Sequence, residues 1–62
     1  MSLYIALTGC KLYKTDSLLS IATRRLNAGE LVACLHSVAQ MLLVITMCGE
    51  IGWIYAPNME AV

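Results

Sequence analysis

Histidine occurs once in this sequence, at His36, and the three cysteines, Cys10, Cys34 and Cys48, nowhere fall in a C-x-x-C spacing. That combination makes no recognisable zinc site. Three is also an odd number, so a closed disulfide framework within one chain is excluded, and a Cys48 to Cys48 bridge would need a second copy. Reduced, space-filling cysteines are the default. Charge is scarce too: 13% of residues are charged, against about 25% in ordinary soluble domains, while 60% are hydrophobic. There are only four basic residues and the formal net charge is zero, which leaves nucleic acid little to hold. Asp16, Glu30, Glu50 and Glu60 are scattered, so no carboxylate pair is set up for acid and base work. No nucleophile signature, glycine-rich phosphate loop, internal repeat or low-complexity segment is present. The chain is therefore read as non-enzymatic, without metal or cofactor.

What is present is one long apolar run, Leu31 to Cys48, LVACLHSVAQMLLVITMC, with no charge in it. At about 18 residues it reaches the lower limit for a helix that crosses a bilayer, and its mean hydropathy of about 1.9 is in the range of a span. Lys11, Lys14, Arg24 and Arg25 all precede the run and no Lys or Arg follows it, which predicts a cytoplasmic N-terminus. Trp53 and Tyr55 stand just past the far end, where aromatic rings settle among headgroups, and Pro57-Asn58 stops any helix. Arg24 and Arg25 take the corresponding place at the inner interface. Glu50, costly in lipid, marks the outer boundary or a partnered site.

Projected as a helix at about 100° per residue, the run carries Glu30, Ala33, Ser37, Gln40, Val44 and Cys48 on one stripe, with His36 on its shoulder. Leu31, Leu35, Val38, Leu42 and Ile45 occupy the other side. Small and hydrogen-bonding residues so segregated predict a contact with another helix, since Gln40 must find a partner in lipid. His36 could serve as an axial ligand to a tetrapyrrole, but a lone histidine carries no spacing information, and a neutral, hydrogen-bonded imidazole is the preferred reading. Met41, Met47 and Met59 are read as packing residues.

Upstream, residues 3–13 have the alternation of a short β-hairpin turning at Thr8-Gly9. Leu7-Thr8-Gly9-Cys10 resembles the lipobox of bacterial lipoproteins, in which the cysteine is acylated after cleavage of a signal peptide. Only nine residues precede Cys10 and none of them is basic, so an ordinary small apolar residue is expected there. Thr15-Asp16-Ser17 reads as a helix start and Asn27-Ala28-Gly29 as its end, with a polar face formed by Ser17, Ser20, Thr23, Arg24 and Asn27.

The expected architecture is mainly all-α. An N-terminal segment 1–14 holds the hairpin, an amphipathic helix covers about 16–27 within segment 15–28, a long apolar and transmembrane helix covers about 30–49, and a tail spans 50–62. With 62 residues the chain is one unit. The expected function is a single-pass accessory or regulatory subunit that packs against another membrane protein, or self-associates, within the lipid bilayer. The alternative is a cytoplasmic α-helical hairpin that oligomerises through the same apolar run and modulates another protein.

Overall fold

A computed structural model describes residues 2–62 and shows seven β-strands, all paired antiparallel. In chain order they are β1 (Ser2–Ala6), β2 (Cys10–Tyr13), β3 (Ala22–Leu26), β4 (Leu31–Val38), β5 (Met41–Thr46), β6 (Ile51–Tyr55) and β7 (Met59–Ala61), with a short 3-10 turn over Ala56–Asn58 before β7. The spatial order is β3-β2-β6-β5-β4-β1-β7.

The mainly all-α expectation is overturned: neither expected helix forms, and only the strands expected within residues 3–13 occur, as β1 and β2. Residues 30–49 are not one helix: the apolar run folds back on itself as β4 and β5, with Val38 opposite Met41, Ala33 opposite Ile45 and Val32 opposite Thr46. The reversal takes only Ala39 and Gln40, and Ala39 adopts the left-handed backbone region at φ 53°. A bilayer rewards a helix because only helices and closed barrels satisfy the backbone there. In this chain the same apolar content is split across the two faces of a ladder, and the β-branched Val32, Val38, Val44, Ile45 and Thr46 suit a pleated surface. No helix among the described residues is long and apolar enough to cross a membrane, so the single-pass topology with a cytoplasmic N-terminus falls.

The amphipathic helix over 16–27 is absent as well. Thr15, Ser17 and Ser20 do bond to nearby backbone, as their composition suggests, but they build a loop. Ser17 Oγ accepts from the Leu19 amide at 3.1 Å and Ser20 Oγ donates to the Ser17 carbonyl at 2.7 Å. Such side-chain turns compete directly with helix. Residues 22–26 then return as β3 beside β2. With both helices gone, the helical-hairpin oligomer also lapses. The hairpin over 3–13 does not form either: two strands lie in that stretch, but β1 pairs with β4 and β7, and β2 with β3 and β6.

Laid flat, seven strands would make a single layer about 29 Å wide. The Cα envelope is 27 × 21 × 21 Å, so its shortest extent is far thicker than one layer, and Leu12 and Leu26 from one edge share a core with Ala6 and Met59 from the other. The sheet is therefore coiled round its own inward side chains, with Leu12, Leu26, Val32, Val44 and Ile54 fully buried at its centre.

An outward apolar face and an arginine clamp

Cross-strand partners lie on the same side of a sheet, so the ladders assign each side chain. Val32, Leu42, Val44 and Ile54 point inward. Their neighbours point outward and line up in three rows. One runs Leu3, Ala33, Ile45, Ile51; the next His36, Leu43, Trp53, Tyr13; the third Val38, Met41, Tyr55. None of these rows contains Lys, Arg, Asp or Glu.

The bonds from the Thr46 amide to the Glu50 carbonyl and from the Ala56 amide to the Gln40 carbonyl set the hydrogen-bonded pairs of β5 and β6 at even positions. The outward pairs Ile45–Ile51, Leu43–Trp53 and Met41–Tyr55 are thus the non-hydrogen-bonded ones, where side chains approach most closely. Met41 shows the effect: it is only 6% exposed although it lies outside the interior cluster. Trp53, Leu43, Ile45, Tyr13 and Tyr55 are half-buried against one another, while Ile51 (61% exposed), Leu3 and Val38 stand free.

His36 reaches this face through a β-bulge. Cys34 pairs with Val44 but His36 pairs with Leu43, so Leu35 is the extra residue. Simple alternation from Val32 and Cys34 would turn His36 inward; one inserted residue reverses the side on which everything after it points. Its imidazole is exposed beside Leu43.

At one end of the coiled sheet, Arg24 of β3 joins two turns. Its Nε donates to Glu50 Oε1 at 2.6 Å, its Nη1 to Glu30 Oε1 at 3.3 Å and to the Arg25 carbonyl at 3.1 Å, and its Nη2 pairs with Glu30 Oε2. Glu30 Oε1 also accepts from the Asn27 amide at 3.2 Å. Glu50 Oε1 accepts from the buried Thr46 hydroxyl at 3.1 Å, and Thr46 Oγ1 in turn accepts from the Glu50 amide at 3.1 Å. The guanidinium bonds hold the Glu30 carboxyl below the ordinary carboxylate range, and Glu30 and then Glu50 raise Arg24 above its own. Burial pushes the Cys10 thiol up. The clamp consumes three of the chain's eight charges in holding its strands and turns together.

The residues expected on one helical stripe are dispersed. Val44 is in the core, Ala33 is on the outward face, Glu30 is in the clamp, Ser37 is near the end of β4, Gln40 is in the turn, and Cys48 is exposed between β5 and β6. Of the expected interface residues, Arg24 is in the clamp and Arg25 is exposed on β3, whereas Trp53 and Tyr55 stand together on the outward face of β6. Sequence reasoning missed Leu3, Tyr13, Leu43, Ile45 and Ile51. One signal for them exists: apolar residues at 41, 43 and 45, and again at 51, 53 and 55, mirror each other across Cys48, next to Gly49, which turns the chain at φ 86°.

Among the described residues there is no pocket and no group of three or more His, Cys, Asp or Glu placed to hold a metal ion. Comparison with protein-family models and with curated proteins finds no match.

Proposed function

We propose that this chain is a non-catalytic docking module that holds a protein partner against the outward face of β4, β5 and β6. The observation that carries this reading is the set of three charge-free rows centred on Leu43 and Trp53, with Ile51, Leu3 and Val38 left open to solvent. Contiguous apolar surface of this kind is characteristic of interaction sites. Depletion of charge with enrichment of Trp, Tyr and Met is the composition of an interface core. Trp53 is its natural anchor, because a large aromatic surrounded by half-buried neighbours excludes water when covered. Such a module works stoichiometrically, by bracing its partner or by favouring the conformation that offers the better contact.

A photo-reactive phenylalanine at Ile51, with the same group at Glu60 on β7 as control, tests the reading in the cells that make the protein. One defined adduct from position 51 and none from 60 is expected. No adduct at 51, or the same products from both positions, would contradict it.

A further inference from the structure

We infer that the loop between β2 and β3 seats this chain on an anionic lipid surface, a contact apart from the β4–β6 face and one that needs no spanning element. The first support is charge. The formal net charge of zero hides a separation: Lys11, Lys14, Arg24 and Arg25, all the lysines and arginines, lie on β2, β3 and the loop between them, with Asp16 the one acidic residue there. Glu30, Glu50 and Glu60 lie elsewhere, and Arg24 takes up the first two. Lys11, Lys14 and Arg25 are exposed and make no ion pair among the described residues. Lys11 and Arg25 are direct cross-strand partners, a like-charge pairing that is unfavourable by itself and is relieved by an anion laid across it. Three uncommitted cations against one carboxylate make this hairpin the part of the molecule that an anionic leaflet attracts.

The second support is the apolar tip that the hairpin carries. Leu19 is 97% exposed, Ile21 72% and Leu18 48%. Apolar residues scattered singly over a surface are ordinary, whereas three within four residues of one loop form a patch. Because β2 and β6 run antiparallel through Tyr13–Trp53, the loop leaves the sheet at the end where the β5–β6 turn stands, and that turn carries Met47, 78% exposed. A protruding tip offers no concavity to a protein segment, but a fluid interface closes round it. The amides of Lys14, Leu19 and Ser20 are bonded within the loop, which lowers the cost of bringing its backbone towards hydrocarbon.

The two supports fit together in space. The Lys14 amide donates to the Ile21 carbonyl at 2.9 Å, so Lys14 stands at the base of the loop. With the leucines at the boundary between headgroups and acyl chains, Lys14 is level with the phosphates. Lys11, three residues back along β2, is about 10 Å further out, within the range over which the potential of a charged leaflet acts.

Co-sedimentation of the full chain with lipid vesicles tests this. Binding to equimolar phosphatidylcholine and phosphatidylserine is expected, with release as salt rises and much weaker binding to phosphatidylcholine alone. Leu19→Glu should weaken it at least about tenfold, the effect of losing one buried leucine. Lys14→Gln should weaken it about fivefold, the effect of one charge near the surface. Circular dichroism should be unchanged in both variants. Val38→Gln, at the opposite end of β5 from the Met47 turn, should leave binding alone. A chain that pellets with neither vesicle would overturn the inference and leave an acidic protein surface as the occupant of the hairpin. Equal binding to both vesicles, binding that Leu19→Glu leaves intact, or binding that Val38→Gln weakens as much as Leu19→Glu does, would overturn it as well.

Discussion

Leu12 of β2 lies directly over Gly52 of β6. A β-carbon on Gly52 would stand 2.7 Å from Cγ and Cδ1 of Leu12 and 2.9 Å from the Tyr13 carbonyl oxygen. Tyr13–Trp53 is the one ladder pair between these strands, so this close approach, together with the Arg24 clamp, seats the β2–β3 hairpin on the rest of the sheet. Because one of the crowded atoms is backbone, the side chain of Leu12 cannot resolve the clash alone. Gly52→Ala is expected to destabilise the fold by about 1–3 kcal/mol, as overpacking does, read as an earlier urea midpoint. A loss under about 0.5 kcal/mol, the scale of a neutral surface change, would show that β2 does not pack there.

Ala39 takes the left-handed region in the two-residue reversal between β4 and β5. That conformation costs a residue with a β-carbon about 1–2 kcal/mol, and glycine's extra freedom in the unfolded chain offsets part of the relief. Ala39→Gly should therefore stabilise by about 0.5–1 kcal/mol, several degrees in Tm for a domain of this size. A lower Tm would contradict the reversal.

Glu30 titrates below its ordinary value of 4.5 because Arg24 bonds to its carboxylate. A carboxylate depressed in the fold stabilises it above the unfolded value, and that contribution is lost as pH falls through the folded one. Thermal stability should decline below about pH 4.5, and Glu30→Gln should lower Tm at neutral pH while flattening the acid slope. Parallel Tm–pH curves for the two proteins would mean that the clamp does not hold in solution.

Leu35 is the extra residue of the bulge, since Cys34–Val44 and His36–Leu43 are consecutive pairs around it. Deleting Leu35 should leave the ladder continuous and His36 outward. The expected change in stability is within about 1 kcal/mol, with the amide spectrum of β5 and β6 largely preserved. Unfolding, or a register change along β5, would contradict the pairing.

The punctuation of this fold is legible in the sequence: Asn27-Ala28-Gly29 and Gly49 stand where the chain turns. The element type was legible only for β1 and β2. Both faces of β5 are apolar, because the outward rows are as hydrophobic as the core, and Leu35 breaks the alternation of β4. Period 2 is therefore erased, and a long apolar run remains that mean hydropathy cannot distinguish from a membrane helix. The reversal at Ala39-Gln40 lacks the glycine or asparagine that usually announces a two-residue turn. The clue that remains is His36, Ser37 and Gln40 clustered at the middle of the run, around the tip of a hairpin. Of the face itself, Trp53 and Tyr55 were visible as amphipathic aromatics. Their neighbours Leu43 and Ile45 were not, because in a helix those positions fall on other sides.

The docking face exists only if Leu43 and Trp53 are cross-strand neighbours at a non-hydrogen-bonded position, where the two α-protons lie close together. The most direct test is the nuclear Overhauser contact between the Leu43 and Trp53 α-protons. A strong contact is expected, together with its counterparts at Ile45–Ile51 and Met41–Tyr55. Its absence, with i to i+3 contacts running unbroken through residues 31–48, would restore the helix and remove the face.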